Sequence, residues 1–161
     1  MTRRAPLLSL LGCLLAACAA APTFDISGVE AGLTPRLAAG LGERAAGRRV
    51  QWGGLIVRAQ NLEDRTRLEV LAFPLRHNAR PKRDAPAQGR FLADFPGYLE
   101  TADFAPGRAL TLVGTVAAVH RGRVDQAPYT YPVVATDQLY LWPVARGDGI
   151  GVHLGVGVIV H

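Results

Sequence analysis

Arg108-Ala109-Leu110-Thr111-Leu112-Val113-Gly114-Thr115-Val116-Ala117-Ala118-Val119 is the strongest strand pattern in the chain. It is rich in aliphatic and β-branched residues and much longer than the common strand of about five or six residues. Gly114 lies inside it. A glycine within a strand marks a bulge, a sharp bend or a close backbone approach, because no side chain obstructs any of these. A long strand bent in the middle can contribute to both sides of a small barrel, which points to a curled sheet. Pro106-Gly107 precedes the run, and a turn is predicted around Arg121-Gly122-Arg123.

Working outward, Tyr131 to Trp142 reads as the last strand, ending in Leu139-Tyr140-Leu141-Trp142-Pro143. Upstream, Gly89-Arg90-Phe91-Leu92-Ala93 is a short strand, and Thr66-Arg67-Leu68-Glu69-Val70-Leu71-Ala72-Phe73 alternates as a half-buried strand does. Val50 to Arg58 is a further strand, interrupted by the kink Gly53-Gly54. Asn61 to Arg65 and Pro96-Gly97 are turns, His77 to Gly89 is a loop, and Leu99 to Phe104 fits one helical turn. A short helix is predicted within Leu33 to Arg48, with Leu33, Leu37 and Leu41 spaced by four and Thr34 as N-cap. The expected fold is all-β: a small, five-stranded, partly open OB-like Greek-key barrel with a short N-terminal helix. A β-sandwich is the alternative.

The N-terminus carries a different signal. Arg3 and Arg4 precede an apolar run from Ala5 to Ala17, which has the layout of a secretory signal. That run is shorter than the roughly 20 residues a spanning helix needs. It ends in Leu15-Ala16-Ala17-Cys18, which resembles the bacterial lipobox, the signal at which a cysteine is lipidated and becomes the mature N-terminus. Leu10-Leu11-Gly12-Cys13 is a poorer match, because Leu11 is bulky and the apolar run before Cys13 is very short. Ala19 follows Cys18 where an aspartate would signal inner-membrane retention, so the sorting rule points to the outer membrane. The expected organisation is a signal peptide over 1–17, a lipidated tether over 18–32, a β domain over 33–143 and a Gly/Val-rich tail over 144–161.

The formal charge is +5 over 161 residues. Removing Arg3 and Arg4 with the signal lowers it, so the basicity says little for nucleic acid, which is not expected as a partner in the envelope. With Cys13 removed and Cys18 acylated, no free thiol is left for a disulfide or a cysteine metal site. Apolar burial must therefore hold the body together, and 49% of the residues are hydrophobic.

Several ordered segments together resemble the Slp family of starvation-inducible outer-membrane lipoproteins of Gram-negative bacteria. They are Val50 to Val57, Arg65 to Leu75, Gly89 to Ala93, Pro96-Gly97-Tyr98-Leu99, Pro106-Gly107-Arg108 to Val116, and Tyr131-Pro132-Val133-Val134 to Leu141-Trp142-Pro143. The resemblance covers roughly residues 18 to 143. It implies an outer-membrane lipoprotein linked to stationary phase or envelope stress, without an established catalytic activity. Cys18 is the one functional residue it transfers.

Other features carry a functional and a bland reading side by side. Arg76, His77, Arg80, Lys82 and Arg83 crowd one loop. They suit contact with lipid or lipopolysaccharide phosphates, or simply keep a β protein soluble. Trp52 and Tyr131, with Tyr129, Tyr140 and Trp142, suit a stacking platform for a periplasmic glycan, peptide or lipid, or ordinary packing between strands. Glu63 and Asp64 are the rival acidic site of an enzyme, although a pairing of Glu63, Asp64 and Glu69 with Arg58, Arg65 or Arg67 is the simpler account. No His-x-x-x-His pair, Gly-x-Ser-x-Gly or phosphate-cradling loop occurs. No catalytic residue, metal or cofactor is expected. The partners expected are outer-membrane lipid, through the acylated N-terminus, and an envelope protein. From Gly149 to His161 apolar and small residues alternate, a strand pattern that suits pairing in its own sheet, at another protein's sheet edge, or a loose tail.

Overall fold

In a computed structural model of the chain, residues 21–144 and the backbone of Ile159–Val160 are described. The segment predicted as a signal, Cys18 and most of the predicted Gly/Val tail lie outside the described residues. Helix α1 spans Pro35–Leu41. The Thr34 hydroxyl accepts the Leu37 N–H at 3.3 Å, and Pro35 opens the helix where its missing N–H has no partner to lose. Gly42, at φ 60°, ends the helix, and a 3-10 turn over Gly42–Ala45 follows. The helix is thus a fraction of the predicted 33–48 window.

Six strands follow: β1 (Arg49–Asn61), β2 (Arg65–Ala72), β3 (Arg90–Pro96), β4 (Ala109–Val124), β5 (Ala127–Leu141) and the two-residue β6 (Ile159–Val160). The first five form one sheet in the order β3-β2-β1-β4-β5, and a parallel contact of β3 with β5 closes it into a ring. That contact is short, Leu92 to Asp94 against Val133 to Ala135, so the ring is partly open. The all-β, five-stranded expectation holds, in one curled sheet and not the two stacked sheets of a sandwich. Beyond the β3 contact, β6 pairs Val160 with Leu139 and Ile159 with Tyr140 on β5.

The ring closes because β1 changes partner midway. Its first half pairs with β4, Arg49 to Leu55, and its second with β2, Gly54 to Asn61. Gly54 faces Leu110 on one side and Ala72 on the other. A Cβ at this position would lie 2.0 Å from the Leu71 carbonyl oxygen. Gly114 does the same on β4: a Cβ there would lie 2.2 Å from the Ala135 carbonyl oxygen, at a register shift that skips Asp137. The bend predicted at Gly114 is therefore a close approach of two backbones.

One predicted turn is corrected. β4 runs through Arg121-Gly122-Arg123, which pair with Thr130, Tyr129 and Pro128. The chain reverses instead at Asp125-Gln126, with Asp125 in the left-handed region at φ 52°. Gly122 serves the ladder by leaving room for the Tyr131 ring, which a Cβ would meet at 3.2 Å.

The ring interior holds Val50, Trp52, Ile56, Leu68, Val70, Phe91, Leu110, Leu112 and Leu139, all buried. Leu33, Ala38 and Ala45, from the helical segment before β1, join the same core, as do Leu99 and Phe104 from the β3–β4 connection. That connection makes the expected single turn, with the Glu100 carbonyl accepting from the N–H groups of Asp103 and Phe104. Thr66 is fully buried, accepts the Leu99 N–H at 2.9 Å and lies 2.6 Å from Asn61 Oδ1, so its hydroxyl has partners on both sides.

Two glycine substitutions should move stability in opposite directions. Gly54→Ala forces the β1–β2 backbones apart and should cost about 1–3 kcal/mol. Gly40→Ala, inside α1 with open space around it, should add about 0.5–1 kcal/mol. Urea unfolding of both variants measures this. A Gly54→Ala protein as stable as its parent would mean that ring closure does not rest on that approach.

Candidate functional site

Residues 73–89 join β2 to β3 and fold back on the outer face of the ring. Bare Gly53 makes room for them: a Cβ there would meet Leu75 Cδ2 at 2.9 Å and Thr111 Oγ1 at 2.7 Å. Thr111, buried and outward-facing on β4, holds the loop. Its hydroxyl donates to the Ala79 carbonyl at 2.7 Å and accepts the indole N–H of Trp142 at 3.0 Å. Within the loop, Arg76 N–H donates to the Arg80 carbonyl and Ala79 N–H to the Arg76 carbonyl, while Leu75 bridges to Pro81. Ala79, at φ 64°, takes the left-handed conformation this tight turn requires.

This fold presents a cluster of exposed cations in a fixed shape. The Arg80 guanidinium lies over the Trp142 ring at 5.4 Å, a cation–π distance. Arg76 pairs with Asp84 at 3.2 Å. His77, Lys82 and Arg83 are exposed, and among the described residues Lys82 and Arg83 have no carboxylate partner. Such a surface attracts anions such as phosphate.

The two predicted aromatic contacts are packed. Trp52 is 5% exposed, donates its indole N–H to the Leu33 carbonyl at 2.7 Å and lies 5.1 Å from the Phe91 ring. Tyr131 is 4% exposed and packs on Tyr129 and Leu92 in a small cluster outside the main core. Its hydroxyl donates to the Arg123 carbonyl at 3.0 Å and lies 3.3 Å from Glu69 Oε1. Burial, and then the Glu69 charge, push the Tyr131 phenol above its ordinary value. Neither ring offers an open face.

The acidic residues also divide. Glu63 and Asp64 are exposed on the β1–β2 turn, where the Arg65 guanidinium grips Asp64 through two bonds of 2.8 Å and holds its carboxyl below the ordinary range. Glu69 pairs with Arg90 at 2.7 Å and not with the arginines nearer in sequence. Arg67 reaches across to Asp94 with two bonds of 2.7 Å, and Arg65 approaches the same carboxylate at 3.5 Å. These pairs form a polar ladder on the outer face of β2 and β3. Among the described residues, no group of three or more His, Cys, Asp or Glu is placed to hold a metal ion. Thr111 and Asp94 were invisible as organising residues from sequence; a threonine in an apolar run and the outward row Arg65, Arg67, Glu69 were the available signals.

Comparison with known proteins places the chain. A family model described as the outer membrane lipoprotein Slp family matches residues 15–153. An uncharacterized lipoprotein of Escherichia coli, YeaY, is 33% identical over 100 residues, covering 62% of this chain and 51% of its own length. An uncharacterized protein of Haemophilus influenzae is 35% identical over 97 residues, covering 60% and 52%. Outer membrane protein Slp of E. coli is 28% identical over 144 residues, covering 88% and 76%. The aligned part thus spans about half the length of the first two relatives and three quarters of the third. No solved structure matches.

Thr111→Val should release the basic loop, since it removes both the bond to Ala79 and the acceptor for Trp142. Limited trypsin digestion should then cut after Lys82 and Arg83 well before the ring is degraded. Thr111→Ser keeps both bonds and should digest like the parent. Equal cutting in all three proteins would show that Thr111 does not hold the loop.

Proposed function

The chain belongs to the outer membrane lipoprotein Slp family, and from that premise we propose that it is a non-enzymatic envelope protein held by acyl chains on Cys18. The body faces the periplasm and serves a structural or stress-adaptive role through contact with membrane components or an envelope protein. The observation that carries this reading is the reach of the family match, which begins at residue 15 and so takes in Leu15-Ala16-Ala17-Cys18. Each buried acyl methylene contributes about 0.8 kcal/mol, and two chains on one residue make a durable anchor.

In this reading the rigid ring is a carrier for its surfaces. Arg80, Lys82 and Arg83 supply positive charge suited to phosphate-bearing envelope components, with Arg76 shared between that role and Asp84. Trp52 and Tyr131 support the body from within, because their rings are packed. Nucleic acid has no part in it.

Fractionation of a Cys18→Ala variant tests the anchor. The parent should sediment with the outer membrane and carry an acyl mass on its N-terminal peptide. The variant should lose both. A variant that still sediments with the outer membrane would overturn the anchor reading. For the adaptive role, a strain lacking the protein should survive prolonged stationary phase less well; unchanged survival would remove that part of the proposal.

A further inference from the structure

We infer that the surface formed by Ile26 and the outer side of α1 rests on the bilayer leaflet that holds the anchor, with phospholipid occupying the groove beside the helix. The inference depends on acylation at Cys18, proposed above.

The helix leaves one leucine without a partner in the fold. Of Leu33, Leu37 and Leu41, Leu33 is buried and Leu41 packs partly against the core, but Leu37 is 56% exposed. α1 buries Pro35 and Ala38 instead, so Leu37 points away from the ring. Ile26, in the segment leading to the helix, is 57% exposed. Beside the helix runs a groove of about 560 Å³, lined by Leu33, Leu37 and Leu41 together with Glu30, Arg36 and Arg48. Exposed apolar side chains beside an apolar groove fit an interface with lipid, where a helix buries one face among the acyl chains.

Exposure alone does not choose this surface, because Leu62 and Tyr98, near the far end of β1, and Val144, just past β5, are also exposed. Chain length does. The Asp25 N–H donates to Gln138 Oε1 at 3.0 Å, so the N-terminal segment is tied to the ring from residue 25. That residue lies seven positions after Cys18. An extended chain spans at most about 3.3–3.6 Å per residue, so Asp25 lies within roughly 25 Å of an acylated residue 18. Ile26 is the next residue along.

Charge on this surface is mixed, with the carboxylates of Asp25 and Glu43 exposed beside the cations. Arg36 is exposed and its guanidinium bonds only the Ala87 carbonyl, at 3.3 Å; Arg44 bonds the Leu41 carbonyl, at 3.4 Å. Among the described residues neither has a carboxylate partner, and Glu30 is taken up by Arg48 at 2.7 Å. Arg36 and Arg44 are thus free to reach lipid phosphates beside the apolar surface.

The test uses the acylated full-length protein in vesicles of phosphatidylethanolamine and phosphatidylglycerol. Leu37→Cys, Ile26→Cys and Tyr98→Cys each give one thiol for an environment-sensitive fluorophore, as Cys18 is blocked by its lipid. Brominated lipid should quench the labels at 37 and 26 several-fold more than the label at 98. Equal quenching at all three positions, or stronger quenching at 98, on protein that floats with the vesicles would overturn the docking surface while leaving the anchor intact. Absence of an acyl mass on Cys18 would overturn the anchor, and this inference with it. Far-UV circular dichroism of each labelled protein confirms that the ring is folded.

Discussion

Strand β1 is shared by two neighbours, and the rest of the molecule depends on that sharing. At Gly54 the same residue faces β4 on one edge and β2 on the other, at a backbone spacing that excludes even a methyl group. Without this crossing, β2 and β3 would continue a flat sheet, and β3 would not come round to meet β5. The core follows from the closure, because Trp52, Leu68, Phe91, Leu112 and Leu139 face one another only when the sheet is curled. Gly114 repeats the device on the other side. The interior is thus defined by two missing side chains as much as by the large ones that fill it.

The helical segment before β1 completes what the ring begins. Trp52 donates its indole N–H to the Leu33 carbonyl, so the polar atom of the largest core side chain is satisfied by the residue just ahead of the helix. Leu33, Ala38 and Ala45 then fill the space around Phe91 and Val50. Apolar burial supplies much of this stability. The ladder of Arg67–Asp94 and Glu69–Arg90 lies outside the core, where half-buried ion pairs contribute little net energy but oppose wrong pairings of β2 with β3.

Much of the ring was legible in the sequence because its signals are local. Thr34 ahead of Pro35, the alternation of Thr66 to Ala72 and the glycine within the long apolar run each act over a few residues, and each appears where it was expected. What was hidden depends on distant partners. Gly122 resembled a turn because the ring of Tyr131, which needs its bareness, lies nine residues on and across a hairpin. Trp52 resembled a platform because an aromatic side chain looks the same in sequence whether it is exposed or covered by a helix. Glu69 chose Arg90 over nearer arginines because the outer-face register decides the reach, and register is a property of the sheet. Thr111 gave no sign that a loop over thirty residues upstream would hang from its hydroxyl.

The tie between Asp25 and Gln138 has a consequence for affinity. With Cys18 acylated as proposed, the body would be held on a leash of a few residues and confined to a thin layer beside its attachment, at an effective concentration on the order of millimolar toward anything in that layer. Encounter becomes a two-dimensional search, and a contact too weak to detect between freely diffusing molecules would still be occupied most of the time. Evolution could then leave such a surface shallow and sparsely charged, because the leash supplies the persistence that a deep pocket would otherwise have to provide.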